Sequence, residues 1–263
     1  MSMPLSPGPL IQTATAYWNS ATLIAAIRLE LFTQIASGSN TAEALAEALS
    51  ADLAAVDALL SACASLELLE KNGDTFSNSP LAQAYLVAGQ PGYLGPALLY
   101  NGDVYPLWGQ LDAVVKRGHA DKTPDQYLGD DEERTRNFVY GMHHRALGVG
   151  RAVAQGIDLS GRKRLADIGG GPGTYSALLT QAHSDLNSDV LDLPGVVAIA
   201  EQIVASMGAA ERVSCVPFDY YTDTLTGTYD AALISGVLHR EQPDGVRAIL
   251  KKASDALEPG GVL

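Results

Sequence analysis

The chain has 263 residues, which is long for one ordinary domain and predicts two. Hydrophobic residues make up 47% and charged residues 18%, a globular balance that excludes intrinsic disorder. With 17 basic and 30 acidic residues, the formal net charge is −13, which opposes general binding to nucleic acid or to an anionic membrane surface.

The cysteines and the N-terminus point to a cellular compartment. The two cysteines, Cys63 and Cys215, predict no disulfide framework. The first ten residues, MSMPLSPGPL, lack the cationic and apolar regions of a secretory leader, and no apolar run approaches the roughly 20 residues of a membrane helix. These features predict a cytoplasmic protein that does not associate with membranes.

Apolar residues recur at helical spacing in the first half of the chain. The run from Leu10 to Ala36 predicts one long, heavily buried helix. Thr41 is predicted to cap the next helix, because its hydroxyl can accept a hydrogen bond from an orphan N–H, and Ser50 the one after it. The pair Asn72-Gly73 between two short runs predicts a hairpin.

Two short helices followed by a small hairpin are typical of a winged helix, a structure often used to bind DNA. The segment predicted as the recognition helix, Ala51 to Leu66, contains Asp52 and Asp57 but no Lys or Arg. Phosphate contacts and guanine recognition both depend on such cations. We therefore expect a dimerisation module, and the large apolar residues between Ile11 and Phe32 predict a homodimer through the N-terminal helices.

The pattern changes after Ile157, where short β-branched runs alternate with helical stretches. The runs RLADIGG, SDVLDLP, RVSCVPFD and DAALISGV have the length of strands. This alternation predicts an α/β fold with right-handed βαβ units and a mostly parallel sheet covered on both faces. We predict a helical winged-helix domain at residues 1–145 and a Rossmann-like domain at residues 146–263.

The strongest local signal is ADIGGGPGT, from Ala166 to Thr174, which closes the first strand of the second half and opens its first helix. Doubly wound sheets bind ligands there, and glycines let the backbone approach a ligand closely. A dinucleotide fingerprint would need glycine at position 174, and a phosphate loop would need Lys followed by Ser or Thr. Asp167 at the strand end suits a cationic or amino-bearing ligand better than a pyrophosphate.

Two further strand ends carry residues suited to a nucleoside. Asp192, in VLDLPGV, can accept hydrogen bonds from both ribose hydroxyls. The triplet Phe218-Asp219-Tyr220 offers an aromatic wall to a purine and a carboxylate to its exocyclic amine. Three successive strand ends therefore predict a nucleoside site without phosphate-binding residues.

The ordered set of DIGGGPGTY, VLDLPGV, VPFDYY and ISGVLHREQPDGVRAILKKASDALEPGG resembles the S-adenosylmethionine-dependent class I small-molecule O-methyltransferases, typified by caffeate, hydroxyindole and bacterial polyketide enzymes. Upstream, YPLWGQLDAVVKRG and NFVYGMHH resemble further segments of that family, so the resemblance extends over nearly the whole chain. It implies S-adenosyl-L-methionine as cofactor, S-adenosyl-L-homocysteine as its product, a hydroxyl of a small aromatic or polyketide-type molecule as acceptor, and no metal.

The resemblance also implies roles for individual residues. The implied cofactor-binding residues are Asp167, Gly169, Gly170, Gly171, Asp192, Leu193, Phe218, Asp219, Tyr220 and Ser235. Phe138, Met142 and His143 would contact the acceptor. His239 would be the catalytic general base, because a neutral imidazole can take the proton of the attacking hydroxyl.

Two features depart from the family pattern. Arg240 follows His239 where relatives usually carry Asp, and a cation there opposes imidazolium formation unless Glu241 compensates. The sequence also stops at GGVL, the turn expected to lead into a fifth strand, which would leave the fourth strand as an unpaired apolar edge. We expect these 263 residues alone to show little or no methyl transfer and a tendency to aggregate, and a second chain to supply further strands.

Three functions stay open on the sequence alone. The first is an S-adenosylmethionine-dependent O-methyltransferase. The second is a cofactor-binding, non-catalytic subunit or fragment completed by another chain. The third is a family member recruited to non-methylating chemistry, such as hydroxylation, decarboxylation or cyclisation. Methyl-transfer assays separate the first from the others, and the mass of the native assembly identifies the second.

Overall fold

The computed structural model describes residues 6–119 and 128–263, and the chain divides into two compact units between Trp108 and Gly109. The first unit is helical with a small hairpin, and the second is α/β. The predicted boundary at residues 145/146 differs from this division. It falls inside one 25-residue helix, Glu132–Gly156, which packs on other helices of the second unit.

Short helices and one hairpin build the first unit. Its elements are α1 (Gly8–Thr15), α2 (Tyr17–Arg28), α3 (Leu31–Ala36), α4 (Ala42–Leu49), α5 (Leu53–Ser65), β1 (Leu69–Asn72), β2 (Thr75–Asn78), α6 (Pro80–Tyr85) and α7 (Gly95–Trp108). The single long helix predicted for residues 10–36 is wrong, because Glu30 takes a left-handed φ of 51° between α2 and α3. Its predicted burial is also wrong at the start, since α1 buries no residue.

The two predicted helix caps have different outcomes. Thr41 caps α4, and its Oγ1 accepts a hydrogen bond of 3.2 Å from the N–H of Ala44. Ser50 does not cap α5, because it ends α4 in the left-handed conformation with φ 50°. Asp52 caps α5 instead, and its Oδ1 accepts a hydrogen bond of 2.9 Å from the N–H of Ala55.

The core of the first unit lies between its helices and the hairpin. Strands β1 and β2 pair antiparallel around Gly73, whose φ is 60°, and this confirms the predicted hairpin. The largest fully buried side chains of this core are Leu31, Phe32, Leu45 and Leu60. Within the described ranges no single helix is long and apolar enough to cross a membrane; α4 and α5 meet the criteria only as a pair, bent by 116°.

The second unit is a parallel sheet with flanking helices. Its elements are α8 (Leu111–Arg117), α9 (Glu132–Gly156), β3 (Arg164–Ile168), α10 (Thr174–Ala182), β4 (Asn187–Asp192), α11 (Pro194–Ser206), β5 (Val213–Pro217), β6 (Tyr229–Leu233), α12 (Pro243–Ala256) and β7 (Leu257–Val262). The strand order is β5-β4-β3-β6-β7 and every adjacent pair is parallel, which confirms the predicted α/β class. The chain runs outward from β3 to β5 and then crosses to β6, so a topological switch point lies beside β3.

Strand β6, the fourth of the unit, is not the unpaired edge that we expected. Strand β7 lies beside it, with Tyr229 opposite Leu257 and Ala231 opposite Val262. An irregularity in the register separates these two pairs, and Gly260 within β7 has a φ of 84°. The last six residues before Leu263 are therefore enough to cover β6, and β7 is the edge instead.

Candidate functional site

The loop between β3 and α10 turns at glycines that no other residue type would replace easily. Gly169, Gly171 and Gly173 have φ values of 66°, 53° and 68°, in the left-handed region. The N–H of Gly169 donates a hydrogen bond of 2.8 Å to the carbonyl of Leu191, which anchors the loop to β4. A Cβ at Gly171 would meet nothing within 4 Å, so the middle of the loop faces open space.

That open space is a cavity of about 280 Å³ at the carboxyl ends of β3 to β6, beside the switch point. Its volume is close to the lower end of the range of small-molecule pockets, about 300–1,000 Å³. The described residues that line it are Leu128, Phe138, Gly169, Gly171, Asp192, Leu193, Val196, Phe218, Asp219, Tyr220, Tyr221, Gly236, Val237 and Arg240. Apolar and aromatic walls with a few charged groups are typical of a ligand site.

Asp192 is held in place by two backbone donors. Its Oδ2 accepts a hydrogen bond from the N–H of Gly171 and its Oδ1 one from the N–H of Leu193, both at 2.8 Å. Burial raises the pKa of this carboxyl, and the two N–H donors and the charge of Arg240 oppose that rise. Each carboxylate oxygen has a further lone pair, so Asp192 can still accept hydrogen bonds from ligand hydroxyls.

Asp167 lies beneath the glycine loop and is not among the residues that line the cavity. Its side chain is 1% exposed, and its Oδ2 accepts a hydrogen bond of 2.7 Å from the hydroxyl of Ser176. The hydroxyls of Ser176 and Ser188 lie 2.8 Å apart. Burial raises the pKa of Asp167 to about 6. Asp167 was expected to contact the cofactor, but its side chain lies under the glycine loop and packs against it. A Cβ at Gly170 would lie only 2.8 Å from the carboxyl carbon of Asp167.

The other implied cofactor residues separate into two groups. Those brought together around the cavity are Gly169, Gly171, Asp192, Leu193, Phe218, Asp219 and Tyr220. Gly170 and Ser235 are not among the lining residues. Gly170 packs on Asp167, and Ser235 is exposed in the loop after β6.

Of the three implied acceptor residues, Phe138 lines the cavity and Met142 does not. His143 is buried, and its Nδ1 lies 2.7 Å from the hydroxyl oxygen of Thr174. Burial, and then the neighbouring His144, lowers the pKa of His143 to about 4, so the imidazole is neutral at pH 7. Instead of reaching the acceptor, His143 joins α9 to Thr174, the first residue of α10 after the glycine loop.

His239 lies on a single 3₁₀ turn, Leu238–Arg240, in the loop after β6. Its side chain is exposed and does not line the cavity, whereas the next residue, Arg240, does. Glu241 follows, and its Oε1 accepts hydrogen bonds from the hydroxyls of Tyr220 at 3.2 Å and Tyr221 at 2.7 Å. Glu241 thus holds two phenols of the cavity wall.

The sequence analysis missed several contributors to this site, above all Tyr221 and Arg240 as lining residues. The signal for Tyr221 was the YY doublet after the strand-end Asp219. Lys252 on α12 gave no local signal, but its Nζ donates to the carbonyls of Tyr220, at 2.7 Å, and of Asp223. The same ammonium lies 5.5 Å from the centre of the Phe218 ring. Helix α12 therefore braces the aromatic wall.

Comparison with known proteins identifies two family domains in the chain. An O-methyltransferase domain matches residues 108–263, and an O-methyltransferase dimerisation domain matches residues 11–88. The boundary between them agrees with the division of the structure at Trp108.

Individual relatives match along almost the whole chain. The 3-hydroxy-5-methyl-1-naphthoate 3-O-methyltransferase of Streptomyces sahachiroi is 33% identical over 98% of this chain and 76% of its own length. The N,N-dimethyltransferase OxyT of Streptomyces rimosus is 32% identical over 99% of this chain and 79% of its own. The structure of human N-acetylserotonin methyltransferase in complex with S-adenosylmethionine superposes with a TM-score of 0.80 at 24% identity, over 100% of this chain and 80% of that one.

Proposed function

The chain belongs to the O-methyltransferase family, and on that premise we propose that its cavity is the site at which it holds S-adenosylmethionine. The protein is an S-adenosylmethionine-dependent O-methyltransferase whose acceptor is a hydroxyl of a small aromatic or polyketide-type molecule. The observation that carries the assignment of the site is one cavity that joins the glycine loop, the half-buried Asp192 and the aromatic Phe218. A phosphate-binding lysine is not among the described residues that line it.

The residues around the cavity fit an adenosine that carries an amino acid. Asp192 would accept hydrogen bonds from the ribose hydroxyls, and Asp219 would accept one from the exocyclic amine of the adenine. Leu193 and Phe218 would pack on the adenine ring. The open space at Gly171 supports placement of the methionine part along the loop. When bound, the cofactor supplies an electrophilic methyl group on a sulfonium.

His239 would take the proton of the acceptor hydroxyl on one of its imidazole nitrogens. The observation that supports this role is the place of His239 in the loop after β6, at the carboxyl edge of the sheet. A positioned general base of this kind contributes on the order of 10²- to 10⁴-fold in rate. The exposed side chain leaves room for an acceptor to approach it.

The proposed acceptor is a hydroxyl on a fused aromatic ring, because a relative at 33% identity is named for methylating the 3-hydroxyl of a naphthoate. A second candidate reaction is methyl transfer to an amine. The specific observation that favours it is the relative at 32% identity named as an N,N-dimethyltransferase.

The experiment compares transfer from labelled S-adenosylmethionine to naphthols, hydroxynaphthoates and matched naphthylamines, with the wild-type protein and His239→Gln. We expect O-methyl products, a loss on the order of 10²- to 10⁴-fold in the variant, and unchanged affinity for S-adenosylhomocysteine. Transfer to amines alone would favour the second candidate. Near-full transfer by His239→Gln would show that His239 is not the base.

The chain carries a dimerisation domain, and we propose that α1 and α2 form the contact of a homodimer. Leu10, Ile11, Tyr17 and Trp18 are 76%, 60%, 51% and 59% exposed. Apolar side chains concentrated in this way on consecutive helices support an interface. A second polypeptide that supplies further strands stays a prediction, which the mass of the native assembly tests.

A further inference from the structure

The turn after β6 presents a cation to the cavity rather than a histidine. A 3₁₀ turn has about three residues per turn, so neighbouring side chains leave it in well-separated directions. His239 and Arg240 are such neighbours, and only Arg240 of the two is among the residues that line the cavity. Among the described lining residues, Arg240 is the one basic side chain.

The carboxylates near this cation accept hydrogen bonds from neutral donors. Asp192 accepts two backbone N–H groups, and Glu241 accepts two phenol hydroxyls. Asp219 Oδ1 accepts a hydrogen bond of 2.8 Å from the N–H of Tyr221. Arg240 is exposed, and within residues 6–119 and 128–263 its guanidinium makes neither a hydrogen bond nor an ion pair, although its charge acts on Asp192.

We propose that Arg240 is a specificity-determining residue that selects acceptors carrying a carboxylate on the aromatic system that bears the reacting hydroxyl. This rests on the proposed function, since it assigns an acceptor to the same site. A guanidinium stays charged at all relevant pH values and presents a planar fork that binds a carboxylate through two parallel hydrogen bonds. The guanidinium of Arg240, which makes no ion pair within the described residues, can therefore form such a pair with the carboxylate of an acceptor.

The electrostatic effect of Arg240 on neighbouring side chains supports its place in the cavity wall. Its charge opposes the burial that raises the pKa of Asp192 and of the Tyr220 phenol. The guanidinium therefore acts on groups of the cavity wall and not only on solvent. A hydroxyaromatic anion held there would gain the same favourable interaction, in a chain whose net charge of −13 otherwise repels it.

The cofactor also has a carboxylate, so the experiment must separate the two anions. It measures binding of 3-hydroxy-2-naphthoate and of 2-naphthol to the protein loaded with S-adenosylhomocysteine, and binding of S-adenosylhomocysteine itself. The variants are Arg240→Gln, which removes the charge, and Arg240→Lys, which keeps the charge without the fork. Arg247→Gln is the matched control, because Arg247 lies on α12, is 72% exposed and pairs with Asp244 outside the cavity.

We expect the wild-type protein to bind the hydroxynaphthoate at least about 10-fold more tightly than the naphthol, as charge-assisted hydrogen bonds allow. Arg240→Gln should weaken hydroxynaphthoate binding by about 10- to 100-fold, with Arg240→Lys between the two. In each variant the loss of hydroxynaphthoate affinity should exceed any loss of naphthol or S-adenosylhomocysteine affinity, because only the acid pairs its carboxylate with the guanidinium. In the methyl-transfer assay the loss should appear in KM for the acid and not in kcat.

Several results would overturn the proposal or the function on which it rests. Equal wild-type affinity for acid and naphthol, or equal losses of both in Arg240→Gln, would mean that Arg240 does not recognise the carboxylate. A loss of S-adenosylhomocysteine affinity in Arg240→Gln as large as the loss of hydroxynaphthoate affinity would assign the guanidinium to the cofactor instead. Failure of the wild-type protein to bind S-adenosylhomocysteine at all would contradict the proposed function itself, which keeps the two failures distinct.

Discussion

The two units place their polar side chains in opposite ways. In the described part of the first unit, Ser79 is the one polar side chain that is fully buried, and its hydroxyl caps α6. The described part of the second unit buries Thr135, Asn137, His143, Asp167, Thr174, Ser176, Thr180 and Ser188. The first unit instead leaves large apolar side chains exposed along α1 and α2.

The difference shows how each unit is built for its role. Burying a polar group is unfavourable unless it is hydrogen-bonded, so such groups persist where they fix a geometry. In the second unit four of them pair around the glycine loop: Ser176 donates a hydrogen bond to Asp167 below it, and His143 lies within hydrogen-bond distance of Thr174 at its end. The exposed apolar side chains of α1 and α2 in the first unit are suited to association with another protein surface. On the proposed function, the second unit preorganises a site and the first provides a surface for association.

Breaking the proposed surface should have the largest effect. Trp18→Glu would place a carboxylate within the apolar contact, which costs several kcal/mol when the charge is unpaired. Each 1.4 kcal/mol is about tenfold in affinity, so the dimer dissociation constant should rise more than about 100-fold. Light scattering at low micromolar concentration should give a monomer mass for this variant and a dimer mass for Trp18→Phe. A dimer in both would place the interface elsewhere.

The buried groups of the second unit predict opposite responses to pH. The pKa of Asp167 is raised to about 6, so the stabilisation from its protonation is complete below about pH 4 and is lost as the pH rises through 6. The pKa of His143 is lowered to about 4, so its contribution is complete above about pH 6.5 and is lost as the pH falls through 4. Each shift corresponds to about 3 kcal/mol.

Variants separate these two contributions. On acidification from pH 6.5 to 4.5, Asp167→Asn should lose stability more steeply than the wild type, and His143→Asn less steeply. The readout is hydrogen exchange of peptides from β3 and α10, corrected for intrinsic rates. Tryptophan fluorescence would not serve, since both tryptophans, Trp18 and Trp108, lie in the first unit. Equal slopes in all three proteins would mean that neither group is linked to folding.

The smallest effect is expected at the end of the glycine loop. Thr174→Val removes the hydroxyl that lies 2.7 Å from His143, while Thr174→Ser keeps it. A single hydrogen bond contributes about 1 kcal/mol net, so affinity for S-adenosylhomocysteine should fall by about 2- to 10-fold in the valine variant only. Calorimetry measures both variants. Equal affinities would show that this bond does not position the loop.

The parts of the fold that could be predicted are those that short stretches of sequence determine. Alternating strands and helices predicted the parallel sheet, and Asn72-Gly73 predicted the hairpin. Local pattern did not separate Ser50 from Asp52 as the cap of α5, because both are capping residue types two positions apart. It also did not reveal the break at Glu30, whose left-handed φ of 51° interrupts a run with continuous apolar periodicity.

Site residues could be predicted where their position after a strand end places them at the cavity. They could not be predicted where the direction of the side chain determines whether it lines the cavity. Asp192 and Phe218 line the cavity because strand ends of a parallel sheet meet at one edge. Asp167 is also near a strand end, but it points beneath the loop to Ser176. Side-chain direction also separates two further residues: His143, expected at the acceptor, packs against Thr174 on α10, and Arg240, for which no site role was expected, lines the cavity.

The central claim, that the second unit preorganises a site for S-adenosylmethionine, is tested most directly by calorimetry of S-adenosylhomocysteine with the wild type and Asp192→Ala. The account predicts one site per chain, no binding of NAD or ATP, and loss of two charge-assisted hydrogen bonds worth about 1.5–3 kcal/mol each in the variant. Asp244→Ala, which removes the same charge from an exposed position on α12, should bind as the wild type does. Unchanged affinity in Asp192→Ala, or binding of NAD in the same site, would contradict the claim.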